Sequence, residues 1–144
     1  MALTALSQRD HTDAVIATLR AAGLSVGDGI RNEQPDGSGE PLDPPCAVVH
    51  PIPGGTRTGT LDDHVRHADL VYQISCVGLT RAQAEWVRDR VEEAMLGGVS
   101  VPGRLIDVIR IDFGSDDARR DDDVGAPELF FTSMPRYRLS STPA

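Results

Sequence analysis

The sequence contains no lysine, so all 14 of its basic residues are arginine. Against 22 acidic residues they leave a formal net charge of −8 and a pI of about 4.8. Non-specific nucleic-acid binding and docking on an anionic membrane both require clustered positive charge, so this balance argues against both. We interpret the missing lysine as the coding bias of a GC-rich genome. Arginine still supplies guanidinium groups that pair with carboxylates across an interface.

Long hydrophobic runs are also absent. No apolar stretch approaches the roughly 20 residues that span a bilayer, and the first ten residues, MALTALSQRD, lack the pattern of a secretory signal. The two cysteines, Cys46 and Cys76, lie in apolar extended segments without a CxxC spacing. We therefore expect reduced, buried thiols, with a disulfide or a shared metal as the alternative.

Three long polar segments interrupt the chain, at residues 31–45, 51–67 and 114–127. Loops of this length are uncommon in a compact domain and are usually disordered or involved in binding. The segments 51–67 and 114–127 are charged and contain glycine, so they bury little apolar surface of their own. We expect them to be mobile in the free subunit and to become ordered against neighbouring subunits.

Hydrophobic periodicity predicts a first helix over residues 7–22, with Asp10 or Thr12 as its N-cap and Gly23 as a left-handed stop. A second helix is predicted over residues 81–96, opened by a capping box. The capping box consists of Thr80 and Gln83. The apolar stripe of this second helix comprises Ala84, Val87, Val91, Ala94 and Met95.

Five extended segments are predicted, at residues 24–30, 46–50, 70–77, 105–113 and 128–139. Ile109, Ile111 and Phe113 share one face of the fourth segment. Pro135 places an edge or a bulge in the fifth, because proline has no N–H to donate. The last two segments can pair as a hairpin across the acidic segment. The chain therefore predicts a single α+β domain over residues 1–144: a mostly antiparallel sheet, two helices on one face, and long loop and hairpin extensions.

The best candidate metal ligands are His64 and His67, which have acidic residues on both sides. The sequence fixes no third ligand, so we favour a solvated or interface loop over a metal site. The glycine-rich run at residues 54–60 lacks the Gly-Lys-Ser/Thr ending of a phosphate-binding loop and is better interpreted as a flexible hairpin arm. The sequence contains no G-x-S-x-G motif, which is the pattern that would indicate a hydrolase. The sequence therefore predicts no catalytic residue, no metal ligand and no cofactor.

An acidic cluster, which consists of Asp116, Asp117, Asp121, Asp122 and Asp123, has oxygen ligands suited to calcium. It lacks the EF-hand spacing and contains Arg119 and Arg120, so an inter-subunit loop is the better interpretation. On the second helix, Trp86 and Arg90 lie one turn apart, away from the apolar stripe. They form either a satellite core contact or an exposed pair typical of interface hot spots. The candidate assembly residues are Arg57, Trp86, Arg90, Arg119, Arg120, Asp121, Asp122 and Asp123.

The element order carries a resemblance to a known family. The segment YQISCVGLTRAQAEWVRDRVEEAML leads from a strand through Gly78-Leu79-Thr80 into a helix, and the chain closes on a strand that contains Tyr137-Arg138-Leu139. Together with the N-terminal helix and the loop-rich middle, this layout resembles the tail terminator (tail completion) proteins of long-tailed phages. The resemblance covers most of the chain, in order and in size, and the segment 31–45 is longer than the family leads us to expect.

The resemblance implies a structural role in the virion, not an enzymatic one. Proteins of this family form a hexameric ring at the head-proximal end of the tail tube, stop its polymerisation and join it to the neck. The implied partners are further copies of the chain, the tail tube protein and a head-closure (stopper) protein, with synthesis in the host cytoplasm. DNA passes through the lumen, where acidic residues repel its phosphates. The alternatives are another neck connector and, from a different class, a small cytosolic metal-dependent enzyme that uses His64 and His67.

Overall fold

The computed structural model describes residues 7–29, 42–58, 67–111, 119–121 and 130–144. These residues form two helices and seven strands, and all seven strands belong to one sheet. In chain order the elements are α1 (Gln8–Ala21), β1 (Val26–Asp28), β2 (Cys46–Thr58), β3 (His67–Gly78), α2 (Arg81–Leu96), β4 (Arg104–Ile111), β5 (Arg119–Asp121), β6 (Phe130–Ser133) and β7 (Arg136–Pro143).

Strand β3 lies at the centre of the sheet. One of its edges pairs with β2, and its other edge pairs with β7 over residues 68–73 and with β6 over residues 76–78. β4 then pairs with β7 along its whole length, β5 with β6, and β1 with β2. Among the described strands, β1 and β2 alone run parallel. The predicted α+β class with a mostly antiparallel sheet is confirmed.

Both helices pack on the same face of this sheet. The buried positions of α1 and α2 join one hydrophobic core with the inward-facing side chains of β2, β3 and β7. From α2, Val87, Val91 and Met95 are fully buried, which confirms the predicted apolar stripe. The large side chains that meet them include Leu70, Tyr72, Ile74, Tyr137 and Leu139.

The cap of α1 was predicted wrongly. Ser7, not Asp10 or Thr12, is the N-cap: its backbone is extended and its hydroxyl accepts the N–H of Asp10 at 3.1 Å. Thr12 lies in the second turn, where its hydroxyl contacts the Gln8 carbonyl and the Tyr72 hydroxyl. The helix itself, Gln8–Ala21, lies within the predicted residues 7–22, so only the capping residue differs.

The connection between β3 and α2 is tight. The Thr80 hydroxyl accepts the N–H of Gln83 at 3.1 Å, as predicted, whereas the Gln83 side chain accepts the N–H of Leu79 at 2.7 Å. A Cβ added at Gly78 would lie 2.5 Å from the backbone nitrogen of Ala84. Glycine at position 78 therefore allows the end of β3 to approach the first turn of α2.

Two of the segments predicted as structureless are partly β-strand. Residues 51–58 continue β2, and Thr56, Arg57 and Thr58 pair with the first three residues of β3 after a register shift. Residues Arg119–Asp121 form β5, which pairs with β6. Pairing with a neighbouring strand satisfies backbone hydrogen bonds without apolar side chains, and a prediction based on composition misses it. The remaining residues of these segments lie outside the described part of the chain.

The predicted last strand is two strands. It is interrupted at Met134 and Pro135, and the Pro135 carbonyl accepts the N–H of Ile74 at 3.0 Å. Neither β6 nor β7 is an edge strand, because β7 lies between β3 and β4, and β6 lies between β3 and β5. The effect of proline at position 135 is therefore to divide the strand within the sheet. The predicted pairing of the last two segments occurs between β4 and β7, with β5 and β6 inserted between them in the chain.

The two cysteines are free and buried, as predicted. Cys76 faces the helices as part of the main core, whereas Cys46 contacts Leu42 and Val77 in a small second cluster. Burial raises the pKa of the Cys76 thiol well above its usual range. Both side chains therefore behave as small hydrophobic groups.

Tyr72 and Tyr137 are cross-strand neighbours with different hydrogen bonding, which gives a matched test of the core. The Tyr72 hydroxyl lies 3.0 Å from the Thr12 hydroxyl. The Tyr137 hydroxyl is buried without a hydrogen-bond partner among the described residues, and burial raises its pKa. We expect Tyr72→Phe to lower the free energy of unfolding by about 1–2 kcal/mol, and Tyr137→Phe to leave it unchanged or raise it slightly. Urea unfolding of the two variants measures this difference, and equal losses would contradict it.

Candidate functional site

A serine and a histidine that are far apart in the sequence lie in contact at one end of the core. His11 Nε2 is 2.8 Å from Ser141 Oγ, and His11 Nδ1 is 2.7 Å from the Ser7 carbonyl oxygen. Arg104 donates to the same Ser141 hydroxyl at 2.8 Å and to the Ser141 carbonyl at 3.0 Å. The Ser7 carbonyl can only accept, so His11 Nδ1–H donates to it, and in the neutral ring Nε2 then accepts the Ser141 hydroxyl proton.

The contact between Ser141 and His11 is that of a nucleophile with a general base, but a substrate has no access to it. His11 is 1% exposed and Ser141 is fully buried, so a substrate carbonyl cannot reach the hydroxyl. The network instead connects α1, β4 and β7, and it provides hydrogen-bond partners for the side chains of His11, Ser141 and Arg104. Sequence reasoning missed it because the two residues are 130 positions apart and belong to no short motif.

Of the two candidate metal ligands, only His67 lies in the described part of the chain. No group of three or more His, Cys, Asp or Glu side chains suited to a metal ion occurs there. His67 Nε2 lies 3.3 Å from Asp69 Oδ1, and the Ser140 hydroxyl donates to the same Asp69 oxygen. His64 lies outside the described residues. Of the acidic cluster, Asp121 belongs to β5, and its other members also lie outside.

A charged groove of about 510 Å³ runs between α1 and β1. Its polar wall is internally paired: Arg9 contacts both Asp13 and Asp28, and Arg20 donates to the Val26 carbonyl at 3.2 Å. These pairs raise the pKa of Arg9 and lower that of Asp13. Because its charges already neutralise one another, the groove offers no unbalanced charge to a ligand.

The outer side of α2 presents apolar side chains to solvent. Trp86 is exposed, and the Arg90 guanidinium carbon lies 5.2 Å from the centre of its ring, a cation–π contact. Leu79 and Leu96 are exposed at the two ends of the helix. We call Leu79, Trp86, Arg90 and Leu96 the helix patch. The structure thus brings together the predicted pair Trp86 and Arg90 as an exposed surface and not as a satellite core contact.

A second apolar surface lies on the face of the sheet opposite the helices. Leu105 and Ile109 point outward from β4, and Met134 accepts a hydrogen bond from the outward-facing Gln73 at its sulfur. Arg138 is exposed and is the cross-strand neighbour of both Ile109 and Val71. We call Leu105, Ile109, Met134 and Arg138 the sheet patch.

Sequence reasoning missed the sheet patch because it considered one face of β4 only. Ile109 and Ile111 do share a face, but that face points away from the core, whereas Ile106 and Val108 pack against it. Both faces of this strand carry apolar residues, so alternation alone does not show which face is buried. The buried face of β4 is identified by its pairing with β7, in which Val108 lies opposite the fully buried Leu139.

The other candidate assembly residues lie at two further places. Arg57 is in β2, opposite Ala68 near the end of the β2–β3 hairpin. Arg119, Arg120 and Asp121 form β5, the last strand beyond β6. Asp122 and Asp123 lie outside the described residues.

Comparison with models of known protein families finds no family that matches this chain, and comparison with curated proteins finds no relative. Within the described residues, no helix combines the length and the apolar character needed to cross a membrane.

Proposed function

We propose that this protein is a tail terminator: a structural virion protein that forms a hexameric ring on the head-proximal end of a phage tail tube. The observation that carries the proposal is the arrangement of β3, the Gly78-Leu79-Thr80 connection and α2. This is the segment on which the family resemblance rests most, and it forms the centre of the sheet and the helix packed on it.

The exposed surfaces support a role in assembly. The described part of the chain has a buried Ser–His contact, a self-neutralised groove and no metal-ligand cluster, but it has two apolar patches on opposite sides. Apolar surface in groups typically marks protein contacts. Two different patches on opposite sides suit a head-to-tail contact, which rotational symmetry closes into a ring.

The charge of the chain fits a ring through which DNA passes. A net charge of −8 gives a field that repels phosphates and keeps a passing duplex from binding. In this function the partners are other copies of the chain, the tail tube protein on one side of the ring and the head-closure protein on the other. The role requires no cofactor and no membrane.

The test is to add the purified protein to tail tubes that lack a terminator. Negative-stain electron microscopy is expected to show a six-fold ring at one end of each tube and no further tube growth. Binding along the whole length of the tube, or binding to tailless capsids alone, would contradict the proposal, and the second result would favour a neck connector. Elemental analysis of the same protein tests the enzyme alternative: stoichiometric metal that is lost in His64→Ala/His67→Ala would support it.

A further inference from the structure

The sheet ends differently on its two sides. On one side its last strand is β1, which has three residues, and Arg20 donates to the Val26 carbonyl at 3.2 Å. On the other side β4 is the last strand beside β7, and it pairs over eight residues without a register shift. Within the described residues no strand pairs with the second edge of β4, which we call the open edge. Proteins usually shorten, cover or interrupt an edge strand of this length.

The direction of the backbone groups of β4 follows from its pairing with β7. The N–H of Ala144 donates to the Gly103 carbonyl at 3.0 Å, so these two residues form a hydrogen-bonded pair in the register of the two strands. Such pairs alternate in an antiparallel ladder, so the odd-numbered residues of β4 bond to β7. The N–H and C=O groups of Ile106 and Val108 therefore point to the open edge.

The side chains of β4 are only partly covered on both faces of the sheet. Ile106 and Val108 pack against the core on the helix side but are half-buried, whereas Leu139 on the neighbouring strand is fully buried. On the opposite face Leu105 and Ile109 are 63% and 53% exposed. A strand added to β4 would cover apolar surface on both faces, because its side chains alternate in the same way.

We propose that the open edge of β4 binds an extended segment of another polypeptide, which adds to the sheet as an antiparallel strand. A second extended backbone supplies, in one row, acceptors for the N–H groups and donors for the C=O groups of Ile106 and Val108. The chemistry of the edge thus identifies the occupant as a strand. This inference does not rest on the proposed function.

Charge distinguishes the bound segment from a second copy of β4. Asp107 is exposed between Leu105 and Ile109, and its neighbour on β7 is the uncharged Ser140. Any pairing of β4 with itself that keeps the faces of the sheet aligned puts an odd-numbered residue opposite Asp107. The odd-numbered residues of β4 include no cation, so self-pairing never neutralises this carboxylate. A strand with a basic residue there, and apolar residues two positions to either side, complements the edge.

A designed peptide tests the edge directly. The probe is Thr-Val-Thr-Arg-Thr-Val-Thr with blocked ends, which places arginine opposite Asp107 and valine opposite Leu105 and Ile109. Amide exchange measured by NMR on the free protein should be faster at Ile106 and Val108 than at their odd-numbered neighbours, which bond to β7. Saturation with the peptide is expected to slow exchange at Ile106 and Val108 at least about tenfold.

N-methylation supplies a matched control for the backbone contact. In an antiparallel ladder the third and fifth residues of the peptide direct their N–H groups at β4, whereas the second and sixth direct theirs away. Methylating the third and fifth should lower the affinity more than about tenfold, and methylating the second and sixth should leave it within about twofold. Equal affinity of the two methylated peptides would overturn the proposal, because the contact would then not use the backbone.

Charge exchange tests the chemistry of the partner. Asp107→Lys is expected to weaken binding of the peptide about tenfold, and replacing the arginine of the peptide with glutamate should weaken its binding to the unchanged protein equally. Combining both changes should recover most of the affinity. Asp89→Lys makes the same change on α2, where the side chain is 73% exposed, and should leave the affinity unchanged.

Three further results would overturn the proposal. Slow exchange at Ile106 and Val108 in the free monomer would show that the chain itself covers the edge. Self-association that protects these two amides without peptide would assign the edge to a second copy. Absence of binding at millimolar peptide would show that the edge accepts no added strand.

Discussion

Protein carrying Val91→Asp is expected to be unfolded or to aggregate at room temperature. Val91 is fully buried on α2 within the cluster that joins both helices to the sheet. The substitution removes apolar burial and places a carboxylate among the apolar side chains of this cluster. The expected loss is at least about 4 kcal/mol, which is a large part of the 5–15 kcal/mol that typically stabilises a domain.

The adjacent residue provides the control. Arg90→Asp places the same side chain one position earlier on α2, where it points to solvent. Its free energy of unfolding should change by less than about 1 kcal/mol, because substitutions at exposed sites have small effects. Circular dichroism and urea unfolding of both variants measure the difference. A soluble, cooperatively folding Val91→Asp protein would show that the assignment of the buried face is wrong.

The helices could be predicted because their signals are local. The apolar stripe of α2 repeats at helical spacing, Thr80 opens the helix, and Gly98, at a φ of +112°, follows its end. Each of these signals lies within a few residues of the structure that it specifies. The N-cap of α1 was predicted wrongly, since Ser7 precedes the apolar stripe and competes with two other good capping residues.

The sheet was harder to predict because its determinants are distant in the chain. The second half of β2 is rich in glycine, threonine and proline, and it is a strand because β3 lies beside it. β6 and β7 appear as one segment until their partner is known, because they pair with different parts of β3. The contact of His11 with Ser141 needs α1 and β7 to be placed side by side. In each case the missing information was the identity of the neighbouring element.

Distance along the chain also explains which candidate site residues could be predicted from the sequence. Trp86 and Arg90 were identified because one helix carries both, so their spacing alone predicts that they meet. The sheet patch brings together Leu105, Ile109 and Met134 from two separate parts of the chain, joined through β7 and Gln73. A surface of this kind follows from topology, and the sequence of any one strand does not reveal it.

Deleting residues 55–59 is expected to abolish tail termination while the domain still folds. The deletion removes Thr56, Arg57 and Thr58, which pair with the start of β3. The core positions described on β2 are earlier, at Ala47 and Val49, and the start of β3 remains paired with β7 over residues 68–73. The fold therefore retains its core and its central ladder. The lost hairpin end is polar and contributes no described core residue, which in the proposed function makes it a surface for the tube or the neck.

The control for the deletion is Thr56→Ser/Thr58→Ser, which keeps the length and pairing of the hairpin and should preserve both folding and termination. Amide exchange on the free protein tests the structural premise: because residues 46–52 pair with β3, their non-proline amides should be protected in both the control and the deletion variant. Electron microscopy of tubes grown with each protein tests the function, with uncapped, overlong tubes expected for the deletion only. Correctly terminated tails with the deletion variant would mean that the hairpin end is not an assembly element, and the ring would then have to meet the tube through other surfaces.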